Sequence, residues 1–165
     1  MRFAFTADTL AVRDAVRFIL GRECTPEKVR AAWTSDDGRV PGLWLHLSAV
    51  GVMGMLAPQA EGGLGLTEVD LVLVLEDSGR YAVPEPVVDT AALAVPLLRD
   101  SGSGELRMVA SGERLVAVGL QGTPFVAGAN EAHLLLLEHE GEVHVVPRGG
   151  VRLTPRPSID GCRRL

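Results

Sequence analysis

Hydrophobic positions in the first part of the chain recur every three or four residues, whereas those after about residue 114 recur every second residue. The first spacing predicts helices and the second predicts strands. The helical spacing is clearest in the stretch from Leu43 to Arg80, LWLHLSAVGVMGMLAPQAEGGLGLTEVDLVLVLEDSGR. Leu43, Leu47 and Val50 share one face of a 3.6-residue period, and Gly51 and Gly54 offer the permissive backbone that ends such a helix. Thr67 predicts the N-cap of a second, more hydrophobic helix. Glu68 and Asp70 stand in its first turn, where the positive end of the helix dipole favours carboxylates. Gly62 to Gly65, GGLG, reads as a shaped loop between the two helices.

The same pattern places an amphipathic helix at residues 7–20. Val12, Val16 and Ile19 form its stripe, Ala15 and Phe18 lie beside it, and Gly21 ends it. Thr25-Pro26-Glu27 starts a short helix over 26–34, with proline at the first helical position. SDDGR, residues 35–39, reads as a polar loop, and Pro41 opens the helix that runs into the stretch above. Pro84 and Pro86 interrupt helix and force an extended passage. Residues 87–98 return to helix with a kink at Pro96. Ser101-Gly102-Ser103-Gly104 is a flexible joint, and a brief helix over 105–110 ends at Gly112.

Beyond Arg114 the segments RLVAVGL, TPFVAGA, AHLLLLEH, EVHVVP and VRLTP alternate with Gly, Asn, Pro and Glu-Gly turns. They predict five strands in a small antiparallel sheet or partial barrel. Helices first and strands second make an α+β chain with segregated layers, divided as a helical domain over 1–112 and a β-domain over 113–165. The last segment, PSIDGCRRL, begins a new piece of structure and then stops, so the chain is expected to be a fragment or part of a larger assembly.

Composition narrows the function. Aromatics are only 4% of a chain that is 47% hydrophobic, so the core must be built from Leu, Val and Ala. A net charge of -5 speaks against nucleic acid as a partner, since phosphate binding needs a clustered basic surface. Arg152, Arg156, Arg163 and Arg164 do cluster, and a solvated strand end accounts for them. Cys24 and Cys162 lie far apart, without CxxC or Cys/His spacing, and are expected to be reduced thiols. No signal-peptide pattern and no bilayer-length apolar run occurs, so a soluble cytoplasmic protein without a membrane partner is expected.

The residues carry no familiar catalytic pattern: GxSxG, a Walker loop and HExxH are all missing, and GGLG is not a GxGxxG after a strand. His133, His139 and His144, with Glu138, Glu140 and Glu142 nearby, raise a metal site as one reading and surface histidines as the stronger one. Glu76 and Asp77 are adjacent on a helix and point apart, so they do not form an acid/base pair. No catalytic residue and no metal ligand is assigned.

Three segments together resemble the acyl-CoA dehydrogenase family. The Leu43–Arg80 stretch is similar to that family's helix–loop–helix passage in order, length and glycine placement. AVPEPVVDTAALAVPLL resembles the helix flanking the acyl pocket. TPFVAGANEAHLLLLEHEGEVHVVP and VRLTPRPSIDGCRRL resemble the middle β-domain and its flavin-facing strand. The resemblance implies FAD as cofactor, an acyl-CoA substrate, and α,β-desaturation in which a carboxylate base takes the α-proton and flavin N5 takes the β-hydride. It implies Leu120, Phe125, Val126, Ala127 and Gly128 on the flavin side and Glu85, Val88 and Ala92 beside the acyl chain.

Three departures from the family pattern stand out. Glu61 occupies the place of a tyrosine, Ala117–Leu120 is followed by only Gln121 and Gly122 where the family has a longer flavin- and CoA-binding turn, and the family's C-terminal helical domain, with its catalytic carboxylate, has no counterpart. The resemblance therefore implies a fragment, or a degenerate subunit in a homo- or hetero-oligomer with another acyl-CoA dehydrogenase-type subunit. The other readings are a non-enzymatic interaction subunit without flavin and, with little weight, a metal-dependent hydrolase.

Overall fold

The computed structural model describes residues 4–120 and 124–165. Its helical part holds α1 (Ala7–Glu23), α2 (Pro26–Ala32), α3 (Leu43–Ala49), α4 (Glu68–Arg80), a π-helical turn (Val88–Ala94), α5 (Val95–Asp100) and α6 (Leu106–Ala110). Three strands follow: β1 (Val116–Gly119), β2 (Leu134–His139) and β3 (Glu142–Pro147). None of the described helices is long and apolar enough to cross a membrane.

The helices form largely where the pattern puts them, and their ends are set by tertiary contacts. α1 continues through Gly21 to Glu23 because Gly21 keeps helical backbone; the cap is Cys24, whose N–H reaches the Leu20 carbonyl. Val16 and Leu20 are fully buried, while Val12 and Ile19 pack at the core margin. Gly42 adopts φ 78°, so the third helix begins at Leu43 and not at Pro41. Thr67 caps α4 as expected: Asp70 Oδ2 accepts from the Thr67 N–H at 2.9 Å and from its hydroxyl at 2.8 Å. Asp77 proves to be 1% exposed and receives Arg17 Nη2 at 2.8 Å, which joins α4 to α1.

The run over 87–98 is helical but not uniform. Pro96 has no N–H to return to a preceding carbonyl, and the turn ahead of it widens so that the Val95 N–H reaches Thr90 O.

The α+β order holds, but the sheet has three strands and is mixed. β1 runs parallel to β2, and β2 antiparallel to β3. TPFVAGA is not a strand in its described residues, 124–129. Pro124 and the left-handed Gly128, at φ 69°, turn it into a crossover, and a crossover makes the strands on either side parallel. Thr123 of that segment, with residues 121 and 122 before it, lies outside the described residues. VRLTP forms no paired strand, so it adds nothing to the sheet.

Alternation buries both faces of the sheet at β1 and the first half of β2, while β3 stays largely exposed. Val116, Leu134 and Leu136 join the core with the helices. Ala117 and Leu135 face the other way, under Ala129, Ala132, Val126 and Leu153. Trp44 Nε1 donates to Gly112 O at 2.8 Å, tying α3 to the approach to β1.

Candidate functional site

Where the helical part meets the sheet, the chain leaves a cavity of about 250 Å³. One wall is the proline-bearing passage Val83–Pro86 with Val88 and Asp89 at the start of the π-helical turn. The facing wall is Leu115 and Val116 with the Ala127–Gly128 crossover, and the C-terminal segment from Asp160 to Arg164 closes a third side.

Glu85 is the most constrained group here. Its side chain is fully buried and its Oε2 accepts from Arg39 Nε at 2.7 Å and from Arg39 Nη2. The Val40 N–H reaches Oε1 at 3.3 Å. Burial pushes this carboxyl above its ordinary range, and the Arg39 guanidinium pulls it part of the way back. Arg39 also lies 5.2 Å from the centre of the Trp44 ring, so one face is stacked and one edge is paired. Its Nη1 has no partner among the described residues.

Asp89 lines the same cavity from the π-helical turn. Its carboxylate accepts no hydrogen bond from another described residue; burial raises it, and the charge of Arg163 opposes that shift. The C-terminal segment is fastened by Arg164. This side chain donates to Gly161 O at 2.6 Å, to Asp36 O at 3.3 Å, to Trp33 O at 3.4 Å and to Ser35 O. Close approach demands glycine at Gly38, where a Cβ would meet Cys162 O at 2.3 Å, and at Gly161, where it would meet the Trp33 ring at 2.5 Å.

Of the residues singled out in the sequence, Glu85, Val88, Ala127 and Gly128 come together on this cavity. Ala92 packs against the core instead. Val126 joins the cluster on the far face of the sheet. Leu120 and Phe125 are 41% and 46% exposed, outside the cavity lining. Arg39, Asp89 and Arg163 were not legible as site residues, because nothing local distinguishes an arginine after an acidic turn from a solvated one.

Cys24 and Cys162 are free thiols; burial raises both, Cys24 to about 11, which keeps it protonated at neutral pH. His133 Nδ1 accepts the Leu115 N–H at 3.1 Å, a structural role at the start of the sheet. The His139 and His144 rings lie 6.5 Å apart on β2 and β3, and no group of three or more metal-ligating side chains occurs among the described residues.

Residues 6–109 match the family described as acyl-CoA dehydrogenase, N-terminal domain. The chain is 30% identical over 155 residues to the acyl-CoA dehydrogenase IpdE2 of Mycolicibacterium smegmatis, covering 93% of this chain and 49% of that protein. Among solved structures it is similar to the ChsE4–ChsE5 complex from Mycobacterium tuberculosis, with a TM-score of 0.78 at 22% identity over 94% of this chain and 52% of that one. A further solved likeness is the Bacillus anthracis acyl-CoA dehydrogenase complexed with FAD. There the TM-score is 0.70 at 14% identity, over 97% of this chain and 35% of that one. The chain thus spans about half the length of the curated relatives it matches. With a family match across the helical part and the same fold running on through the sheet, the chain belongs to the acyl-CoA dehydrogenase family.

Proposed function

We propose that this chain forms the acyl-thioester side of an FAD-dependent acyl-CoA dehydrogenase that desaturates an acyl-CoA between Cα and Cβ. In this reading it is a cytoplasmic protein that works in an oligomer with another acyl-CoA dehydrogenase-type subunit. Residues 1–112 and 113–165 correspond to the helical domain and a shortened middle domain. One observation carries the reading: a single cavity is bounded both by the Glu85–Asp89 passage and by Ala127–Gly128.

The acyl chain lies beside Glu85 and Val88. Ala127 and Gly128 suit a flat ring approaching the backbone, since one carries only a methyl and a Cβ at the other would meet nothing within 4 Å. FAD, when bound, supplies the hydride acceptor. The residues of this chain orient the thioester and keep its β-carbon away from water, while the α-proton goes to a carboxylate of the partner subunit. The buried Arg39–Glu85 pair fixes the proline passage and so the width of the cavity.

A second reading, an interaction subunit without flavin, is favoured by the position of Leu120 and Phe125 outside the cavity. A visible spectrum of the chain mixed with FAD and an acyl-CoA dehydrogenase-type subunit separates the two. Stoichiometric flavin that bleaches on adding acyl-CoA supports desaturation. A colourless complex that leaves acyl-CoA unchanged supports the interaction subunit.

A further inference from the structure

We propose that His139 and His144 form a binding site for a divalent transition-metal ion of the Zn2+, Ni2+ or Cu2+ class at the end of the β2–β3 hairpin. The site stands on the strand ladder and requires neither flavin nor an acyl thioester. In the register, Leu137 pairs with His144 and His139 pairs with Glu142. Side chains alternate between faces, so His139, two residues on from Leu137, shares a face with His144 and stands diagonally across the ladder from it. The two ring centres lie 6.5 Å apart.

The turn fixes this placement. Glu140 and Gly141 both hold left-handed backbone, at φ 52° and 83°, as a type I′ hairpin turn requires. A slip of the register by one residue would send the two rings to opposite faces. The ring nitrogens are also unspent. His133 Nδ1 accepts the Leu115 N–H, whereas neither the His139 nor the His144 ring hydrogen-bonds another described residue. Glu140 Oε1 lies 3.9 Å from His139 Nε2, beyond hydrogen-bond reach. The His139 side chain is 77% exposed and His144 is exposed, so an ion reaches both and small rotations of the side chains close the chelate.

Imidazole nitrogen suits Zn2+, Ni2+ and Cu2+, whereas Mg2+ and Ca2+ take oxygen ligands. Water completes the coordination, since no group of three or more ligating side chains occurs among the described residues. Glu142, opposite His139 on the same face, adds negative charge that favours a cation.

Calorimetric titration of the full chain with NiCl2, and separately with MgCl2, tests the site. Saturable binding of about one Ni2+ per chain at micromolar concentration is expected, without saturable binding of Mg2+. His139→Gln and His144→Gln each leave a single imidazole and are expected to weaken Ni2+ binding at least about tenfold, at unchanged melting temperature. His46→Gln and Cys162→Ser are expected to leave it as it was. Ni2+ binding that survives both hairpin substitutions, or that falls instead with His46→Gln or Cys162→Ser, overturns the inference. So does Mg2+ binding as tight as Ni2+ binding, or an absence of Ni2+ saturation below about 1 mM.

Discussion

Asp89 and Glu85 give the cavity a pH signature. Both carboxyls are raised by burial on folding, so the folded chain binds more protons than the unfolded one. The stability linked to them is complete below the unfolded values, near about 4, and is lost as pH climbs through the raised ones. Asp89→Asn removes one such group. The variant is expected to melt higher than the parent near neutral pH, with the difference shrinking toward pH 4 in thermal melts. A difference that grows on acidification would contradict the assignment. Glu85 behaves differently, because its charge is paired. Glu85→Ala strands Arg39 in a largely buried place and is expected to cost about 3–5 kcal/mol in urea unfolding. Replacing both, Arg39→Met with Glu85→Leu, should restore most of that loss, since an apolar pair of similar size often replaces a buried ion pair at little cost.

At the scale of elements, the glycine-rich loop before α4 separates two kinds of glycine. A Cβ at Gly63 would sit 2.2 Å from Ala57 O, whereas one at Gly62, at φ 82°, would meet nothing within 4 Å. Gly63→Ala therefore forces the backbone apart and is expected to cost about 1–3 kcal/mol. Gly62→Ala bears only the left-handed conformation and should cost about 1–2 kcal/mol, without altering the denaturant slope. Equilibrium unfolding of the two variants checks this, with crowding at Gly63 predicting local rearrangement that Gly62→Ala does not share. The loop, α1, α3 and α4 were legible because each couples an apolar stripe to a recognisable end signal, as Thr67 with Asp70 does. The sheet was legible only in part. Leu134 to His139 and Glu142 to Pro147 alternate around a glycine turn and pair as expected. TPFVAGA has the polarity of a strand, but its proline and its one glycine serve a crossover, so the parallel pairing of β1 with β2 depends on a return path that periodicity does not reveal. The end of α1 was missed for a related reason: Gly21 stops a helix only when a left-handed residue is wanted there.

At the scale of the molecule, the cavity is assembled from five separated stretches of the chain: the acidic turn with Arg39, the proline passage with the start of the π-helical turn, Leu115 and Val116 at the sheet, the crossover, and the C-terminal segment. Resemblance located Glu85, Val88, Ala127 and Gly128 on it. The charged groups Arg39, Asp89 and Arg163 became visible only when these parts were in contact, because their meaning lies in partners more than forty residues away. Arg164 and the close contacts at Gly38 and Gly161 hold the third wall, so the cavity's shape is a property of the whole chain. The central claim is that an acyl thioester occupies the space against Ala127. Calorimetric titration of the full chain and of its Ala127→Leu variant with hexanoyl-CoA tests it most directly. Saturable binding by the parent, weakened at least about tenfold in the variant at unchanged melting temperature, is the predicted result. Equal binding by both proteins, or none by the parent, would contradict it.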